Sequence, residues 1–255
     1  MIRIEHIKKR FKKLQALDDI TASFDKGQVV SLIGPNGSGK TTLIKSILGM
    51  VRPDSGKILV NDTPINGDPS YREMIGYMPQ IGRYPDNMKI GQLFKMLMNV
   101  RNTNEKQTDQ YLIEHFELRK IFEKPMRTLS GGTRQKVSAA ISFLFDPAIL
   151  ILDEPTAGLD PLSSEFLKEK ILTEKKKGKL ILITSHILSD LDELTTHIMY
   201  MQEGKMQFFN EIETLQEETG ELRLGKAIAR IMKGEPTGNN WINTMFQPKK
   251  DEKIY

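Results

Sequence analysis

The segment from Gly34 to Thr42 has the composition of a loop that binds phosphate. Its residues are Gly34, Pro35, Asn36, Gly37, Ser38, Gly39, Lys40, Thr41 and Thr42. The apolar run Val29–Ile33 precedes it and a helical pattern follows, which is the strand, loop and helix order of a P-loop. Glycines let the backbone curl so that N–H groups point at phosphate oxygens, and the helix start adds its positive dipole end. We therefore predict that Lys40 contacts the β- and γ-phosphates of ATP and that Thr41 offers a hydroxyl to Mg²⁺.

Two adjacent acids, Asp153 and Glu154, end a second apolar run at Ile149–Leu152. On a strand beside the P-loop strand, Asp153 would lie where a carboxylate serves the Mg²⁺ shell. Glu154 would point another way, because successive side chains of a strand alternate, and it could polarise an attacking water. The alternative is a strand that simply ends at the surface in solvated acids. Together with the phosphate loop, the pair favours ATP hydrolysis.

A second helix start that can bind an anion follows Leu129. Ser130 is a favoured N-cap residue, and Gly131 and Gly132 expose the backbone of the first turn. The helical pattern continues to about Phe145. One chain has one γ-phosphate to hold, so we expect the second helix start to serve a second copy of the chain.

The elements that must position these groups alternate between short apolar runs and helical patterns, which predicts an α/β fold. The runs Val29–Ile33, Ile149–Leu152 and Leu180–Thr184 are predicted to be strands of a parallel sheet that is buried on both faces. An antiparallel N-terminal part is predicted from three further segments, Ile2–Phe11, Ile20–Phe24 and Gly56–Asn61. The pattern from about Ile90 to Met126 is helical and predicts a helical subdomain inserted between sheet strands.

The predicted domain organisation has an ATPase domain over residues 1–210, with the helical subdomain at about 88–135. A C-terminal helical extension is predicted over residues 211–255, and its polar end, Lys249–Tyr255, is predicted to be mobile.

Composition restricts the class of protein. The 255 residues are 38% hydrophobic and 27% charged, which is typical of a globular protein. The net charge of +4 is a mild bias for a chain of this length and does not by itself predict nucleic-acid binding, so we expect no nucleic-acid partner. The chain has no cysteine, which excludes disulfides and thiolate metal sites. No apolar run approaches the roughly 18 residues of a membrane span.

The motifs in this order resemble the ATP-binding subunits of ABC transporters, over roughly Ile2 to Phe209. The set comprises the Gly34–Thr42 loop, Gln80, Leu129–Gln135, Asp153 with Glu154, Gly158-Leu159-Asp160, and His186. The resemblance implies a RecA-like P-loop NTPase core.

The resemblance also implies roles for four more residues. Phe11 would stack on adenine, although a core residue at a strand edge is the alternative. Gln80 would join the Mg²⁺ shell and sense a membrane partner, although a solvated loop amide is the alternative. Asp160 would link the two sites of a dimer, and His186 would contact the γ-phosphate.

A head-to-tail dimer with two Mg-ATP molecules between its subunits is the mechanism that the resemblance implies. The phosphate loop of one copy would face Ser130-Gly131-Gly132 of the other. The dimer would drive a separate integral membrane subunit from the cytoplasmic face of the membrane. Ile81–Pro85 is either part of a groove for a helix of that subunit or an ordinary surface loop.

Two alternative functions share some of these motifs. One is a soluble ABC-type ATPase of DNA repair or translation, but only 50 positions separate Gln80 from Ser130 (130 − 80), too few for the long coiled coil of DNA-repair members. Translation members fuse two ATPase domains, and one is found. The other, a small-molecule kinase, leaves Ser130–Gly132 and His186 unexplained.

The type of transporter is suggested by two segments, Thr133–Val137 and Leu215–Met232. They resemble single-domain subunits, among them the ATPase of the nitrous-oxide reductase maturation (Nos) transporter, which is associated with copper-site assembly.

Overall fold

The computed structural model describes residues 1–65, 67–185 and 193–232. His186, predicted to contact the γ-phosphate, and the tail Lys249–Tyr255, predicted to be mobile, lie outside these residues.

An antiparallel sheet forms the N-terminal part, as predicted, but it has four strands where three were predicted. Its strand order is β2-β1-β4-β5, with β1 at Ile2–Phe11, β2 at Leu14–Phe24, β4 at Ser55–Val60 and β5 at Thr63–Pro64. The strand predicted to begin at Ile20 begins six residues earlier. Asp19 has a φ of 59°, and the register between β1 and β2 shifts at several positions. These irregularities interrupt the alternation of buried and exposed residues in the first half of β2, so the sequence pattern did not predict that half.

A six-stranded sheet forms the centre of the protein. Its strand order is β10-β9-β3-β8-β7-β6, with β3 at Val29–Ile33, β6 at Ile75–Met78, β7 at Ile149–Asp153, β8 at Leu180–Thr184, β9 at His197–Gln202 and β10 at Lys205–Glu211. All neighbours pair in parallel except β9 and β10, which are antiparallel. The parallel core is confirmed, whereas β6, β9 and β10 were not predicted. Strand β6 is four residues long and contains Gly76, where a Cβ would lie 1.9 Å from the carbonyl oxygen of Ser142.

Seven α-helices lie in the described residues. They are α1 at Lys40–Ile47, α2 at Ile90–Val100, α3 at Tyr111–His115, α4 at Gly131–Phe143, α5 at Pro161–Lys176, α6 at Ile212–Thr219 and α7 at Leu224–Met232. Short 3₁₀ turns occupy Ser70–Met74, Glu105–Gln107, Leu118–Ile121 and Met126–Thr128. The inserted helical segment is therefore present as several short pieces. No helix of the described part of the chain is long and apolar enough to cross a membrane.

The central sheet separates two hydrophobic cores. Leu150 and Leu152 pack with the inserted helices and the C-terminal helices, whereas Ile149 and Ile151 pack with α1 and the antiparallel sheet. Successive residues of β7 thus enter opposite cores, which explains why the central strands are continuous apolar runs.

A cluster of opposite charges anchors α5 to the inserted helical segment. Glu174 is 1% exposed and contacts Lys170 at 2.8 Å and Lys177 at 2.9 Å. The same lysines and Lys179 also contact Asp109 or Asp146. Burial favours the neutral form of Glu174, but hydrogen bonds from the three lysines outweigh it and lower the pKa of Glu174 to about 2. Oxygens of the three acids lie within 4.8 Å of one another, and the lysines balance their charge.

Candidate functional site

The carboxyl ends of β3, β7 and β8 form one edge of the central sheet. Leu32 of β3 and Asp153 of β7 both pair with Thr184 of β8. The loop that follows β3 and the acids that end β7 therefore meet at one edge, which is where open α/β sheets bind ligands.

Three glycines shape the loop between β3 and α1. Gly34, Gly37 and Gly39 have φ values of 144°, 80° and 106°. A Cβ at Gly34 would lie 2.0 Å from the carbonyl oxygen of Met201, and one at Gly39 would lie 2.5 Å from that of Ala16. No atom lies within 4 Å of a Cβ at Gly37. Close packing thus requires glycine at positions 34 and 39. At position 37 there is space for a side chain, but the positive φ favours glycine.

The ammonium of Lys40 lies inside this loop. Its Nζ donates to the carbonyl oxygens of Gly34 at 2.7 Å and Pro35 at 3.1 Å. Burial lowers the pKa of Lys40, and the negative charges of Glu154 and Asp153 oppose that shift. Helix α1 begins here without a side-chain cap and without an acid in its first turn. A fixed cation and an uncapped helix start together suit an anion such as phosphate.

Thr184 holds both acids of the edge. Its hydroxyl donates to Oδ1 of Asp153 and accepts the backbone N–H of Glu154 at 3.0 Å. Asp153 is 5% exposed, and this burial raises its pKa, partly offset by the Thr184 hydrogen bond. Glu154 has a φ of 51°, a conformation that non-glycine residues seldom adopt and that often occurs at functional sites. Thr184 was not among the predicted site residues, although its place at the end of a predicted central strand was a usable signal.

Gln80 reaches the same edge from the segment after β6. Its Nε2 donates to Oε2 of Glu154 at 2.9 Å. The structure therefore links a residue predicted for the metal shell to the residue predicted to polarise water.

Ser130 is the N-cap of α4, as predicted. Its Oγ accepts the N–H of Thr133 at 3.2 Å, and Ser130 and Gly131 are exposed. The helix ends at Phe143, slightly before the predicted end near Phe145. In the described residues, no hydrogen bond or ion pair joins Ser130–Gly132 to the loop at Gly34–Thr42.

The start of α4 packs on the turn that precedes α5. A Cβ at Gly132 would lie 2.6 Å from the carbonyl oxygen of Gly158. Asp160 caps α5 by accepting the N–H of Ser163 at 2.9 Å, and it contacts Lys136 of α4 at 2.7 Å. The Lys136 hydrogen bond holds the pKa of Asp160 well below its usual range. Asp160 thus has structural partners within its own subunit, in addition to the link between dimer sites that was predicted for it.

Phe11 ends β1 and is partly exposed to solvent. The residue is 45% exposed, and Nζ of Lys9 lies 5.3 Å from the ring centroid. The alternative that Phe11 is a core residue is therefore wrong. The proposed stacking on adenine stays a prediction.

Comparisons with known proteins agree on one family. The model of the family described as ABC transporter matches residues 17–157, which is more than half of the chain. The lantibiotic transport ATP-binding protein SrtF of Streptococcus pyogenes is 34% identical over 218 residues, which cover 81% of this chain and 89% of that protein.

Solved structures give the same result for the fold. The structure of an ATP-binding subunit of an ABC transporter has a TM-score of 0.83 and 26% identity, and the match covers 90% of this chain and 98% of that one. A dimeric structure of a bacterial ABC transporter cassette has a TM-score of 0.73 and 20% identity, and the match covers 83% of this chain and 99% of that one. The second likeness concerns the fold alone.

Proposed function

The chain belongs to the ABC transporter family and is an ATPase, and we propose that two copies of it sandwich Mg-ATP and drive a separate membrane subunit. The observation that carries the proposal is the grouping of Lys40, Asp153, Glu154 and Gln80 at one edge of the sheet. Lys40 provides positive charge for the phosphates, and Glu154 provides the carboxylate that polarises the attacking water.

Mg²⁺ fits the donor set at this edge. The candidate ligands are the buried carboxylate of Asp153, the hydroxyl of Thr41 and the side-chain oxygen of Gln80, all hard oxygen donors of the kind that Mg²⁺ prefers. Bound Mg²⁺ would neutralise charge on the β- and γ-phosphates. From the family resemblance, Phe11 would stack on adenine and His186 would contact the γ-phosphate.

The second copy would supply the start of α4. Ser130 and Gly131 are exposed, and the first turn of α4 contains no acidic residue that would repel an anion. A helix terminus stabilises an anion by up to about 2 kcal/mol, and a symmetric dimer has two such contacts. Loss of the γ-phosphate on hydrolysis would remove both contacts and open the dimer. Asp160, which lies beside the start of α4, would be close to both sites.

The membrane partner and location are inferred from relatives. SrtF is by its name the ATP-binding protein of a transport system, which supports a membrane subunit and a place at the cytoplasmic face of the membrane. The narrower proposal, a Nos-type partner in copper-site assembly of nitrous-oxide reductase, is supported only by the resemblance at Thr133–Val137 and Leu215–Met232. Identifying the membrane protein that copurifies with the tagged chain tests it, and a partner of another transporter type would overturn it.

The alternative function, a soluble ABC-type ATPase of DNA repair or translation, has less support. The structure describes every residue from Gln80 to Ser130, and the longest helix in this segment is α2 with 11 residues. The long coiled coil of DNA-repair members is therefore missing from this segment. Stable association with ribosomes or DNA would favour this alternative over the transporter.

Phosphate release by the purified chain tests ATP hydrolysis at the described edge. We expect release that requires Mg²⁺, is abolished by Lys40→Ala and is unchanged by Lys106→Ala, which alters an exposed lysine away from the site. Turnover that survives Lys40→Ala would contradict the assignment.

A further inference from the structure

The segment from Gln80 to Met88 lies between the hydrolytic carboxylate and α4. At one end, Gln80 contacts Glu154. In the middle, the hydroxyl of Tyr84 lies 2.9 Å from Oγ of Ser138, a residue of α4 that is 1% exposed. Tyr84 is half-buried and its hydroxyl faces the protein interior, whereas Ile81 and Arg83 of the same segment are exposed.

Close backbone packing accompanies this hydrogen bond. A Cβ at Gly82 would lie 2.2 Å from Oγ of Ser138 and 2.7 Å from the ring of Tyr84. The segment therefore lies directly against α4 at this point, with no space for another side chain. Only a glycine allows the segment to approach Ser138 so closely.

The far end of the segment is bonded to the residues that lead into Ser130. The carbonyl oxygen of Asp86 accepts the N–H of Arg127, and that of Met88 accepts the N–H of Met126, both at 2.9 Å. The segment thus contacts α4 itself at Ser138 and also contacts the residues that precede the start of the helix.

We propose that Tyr84 is a positioning residue that fixes α4, and with it Ser130, relative to Glu154 of the same subunit. This inference rests on the proposed dimer. There, Glu154 serves the ATP bound by its own subunit, while Ser130 of the same subunit faces the ATP of the partner. The Tyr84–Ser138 hydrogen bond would therefore connect the two ATP sites through each subunit.

The geometry of α4 makes this link effective. Ser138 lies eight residues after Ser130, about 12 Å along the helix at 1.5 Å per residue. A helix of this length moves as a rigid rod, so a change in its contact at Ser138 changes the direction of its start. Removing the Tyr84 hydroxyl should therefore impair the contact that Ser130 makes across the dimer while leaving ATP binding to one subunit unchanged.

The test compares Tyr84→Phe and Ser138→Ala with Tyr111→Phe in a Glu154→Gln background. Tyr111 donates to Glu169 at 3.0 Å between α3 and α5, so its variant loses a similar hydrogen bond elsewhere. Sedimentation velocity with saturating Mg-ATP gives the dimer dissociation constant. ATP binding by the monomer and the melting temperature are measured on the same samples.

We expect Tyr84→Phe and Ser138→Ala each to weaken the dimer by about tenfold, because the altered direction of α4 would affect both symmetric sites and changes between coupled sites have effects of about this size. The affinity of the monomer for ATP should be unchanged in both variants. Their melting temperatures should be close to that of Tyr111→Phe. Tyr111→Phe itself should dimerise like the Glu154→Gln parent. If Tyr84→Phe dimerises as tightly as Tyr111→Phe, the positioning role is refuted. If the Glu154→Gln parent itself forms no ATP-dependent dimer, the proposed function fails first, and this inference fails with it.

Discussion

The side chain of Gln80 donates a hydrogen bond of 2.9 Å to the carboxylate of Glu154. Gln80 comes from the segment that leads to the helical insertion, and Glu154 follows the central strand β7. The contact therefore joins a residue proposed for the Mg²⁺ shell to the residue proposed to polarise the attacking water.

Gln80→Ala removes this contact together with a proposed Mg²⁺ ligand. We expect turnover to fall by about tenfold and the Mg²⁺ concentration for half-maximal activity to rise, because loss of a group that orients the site typically costs about that much. A Mg²⁺ titration of phosphate release measures both effects. Gln202→Ala, which changes an exposed glutamine of β9, is the control. An unaltered Mg²⁺ requirement would remove Gln80 from the metal site.

Glu154→Gln keeps the size of the side chain and removes its charge. We expect ATP binding to be retained and hydrolysis to slow by about 10²–10⁴-fold, the usual contribution of a general base. Because ATP is not consumed, the dimer should accumulate. Single-turnover hydrolysis and size-exclusion chromatography with Mg-ATP check the two effects, and unchanged turnover would refute the role of Glu154.

Ser130→Arg places a long cation at the exposed start of α4. We expect the monomer to bind ATP normally and the ATP-dependent dimer to be lost, because the helix start can no longer approach the partner's phosphate. Ser130→Thr preserves an N-cap hydroxyl and should dimerise. Light scattering with and without Mg-ATP distinguishes the two variants. A Ser130→Arg chain that still dimerises would be incompatible with a site shared between subunits.

Glu174→Gln tests the ion pairs that anchor α5. Breaking a buried ion pair costs about 3 kcal/mol, so we expect the free energy of unfolding at neutral pH to fall by about that amount. The pKa of Glu174 is lowered from 4.5 to about 2 in the folded protein. The ionised side chain therefore makes its full contribution to stability at pH values above the unfolded-state pKa. That contribution is lost as the pH falls from about 4.5 to about 2.

Urea unfolding of wild type and Glu174→Gln at several pH values measures this dependence. The difference between the two proteins should be constant above about pH 5 and should shrink below it, since a protonated glutamate resembles glutamine. A difference that does not change with pH would show that ionisation of Glu174 contributes nothing to stability.

The sequence alone predicted the parts of the candidate site that are formed by residues adjacent in the chain. The P-loop is a continuous segment, and β3, β7 and β8 are apolar runs because both faces of the central sheet are buried. The acids at positions 153 and 154 were found because they directly follow one of these runs.

Contacts between distant segments were not predictable in the same way. Thr184 holds Asp153 from 31 positions away, and Tyr84 meets Ser138 across 54 positions, so only the folded chain brings each pair together. Strand β10 was missed for a different reason. Its pairing with β9 shifts between Met206 and Phe208, which disrupts the two-residue period that a strand otherwise shows.

The absence of cysteine makes a direct test of the shared ATP site possible. Asn36→Cys in the phosphate loop and Gly131→Cys at the start of α4 each add a single thiol at an exposed position, and a Cβ at Gly131 meets no atom within 4 Å. The two variants, each also carrying Glu154→Gln, are mixed and treated with a short thiol-to-thiol crosslinker. If ATP is held between two subunits, crosslinked heterodimer should form with Mg-ATP and not without nucleotide. No heterodimer with Mg-ATP, or an equal yield without it, would contradict the account.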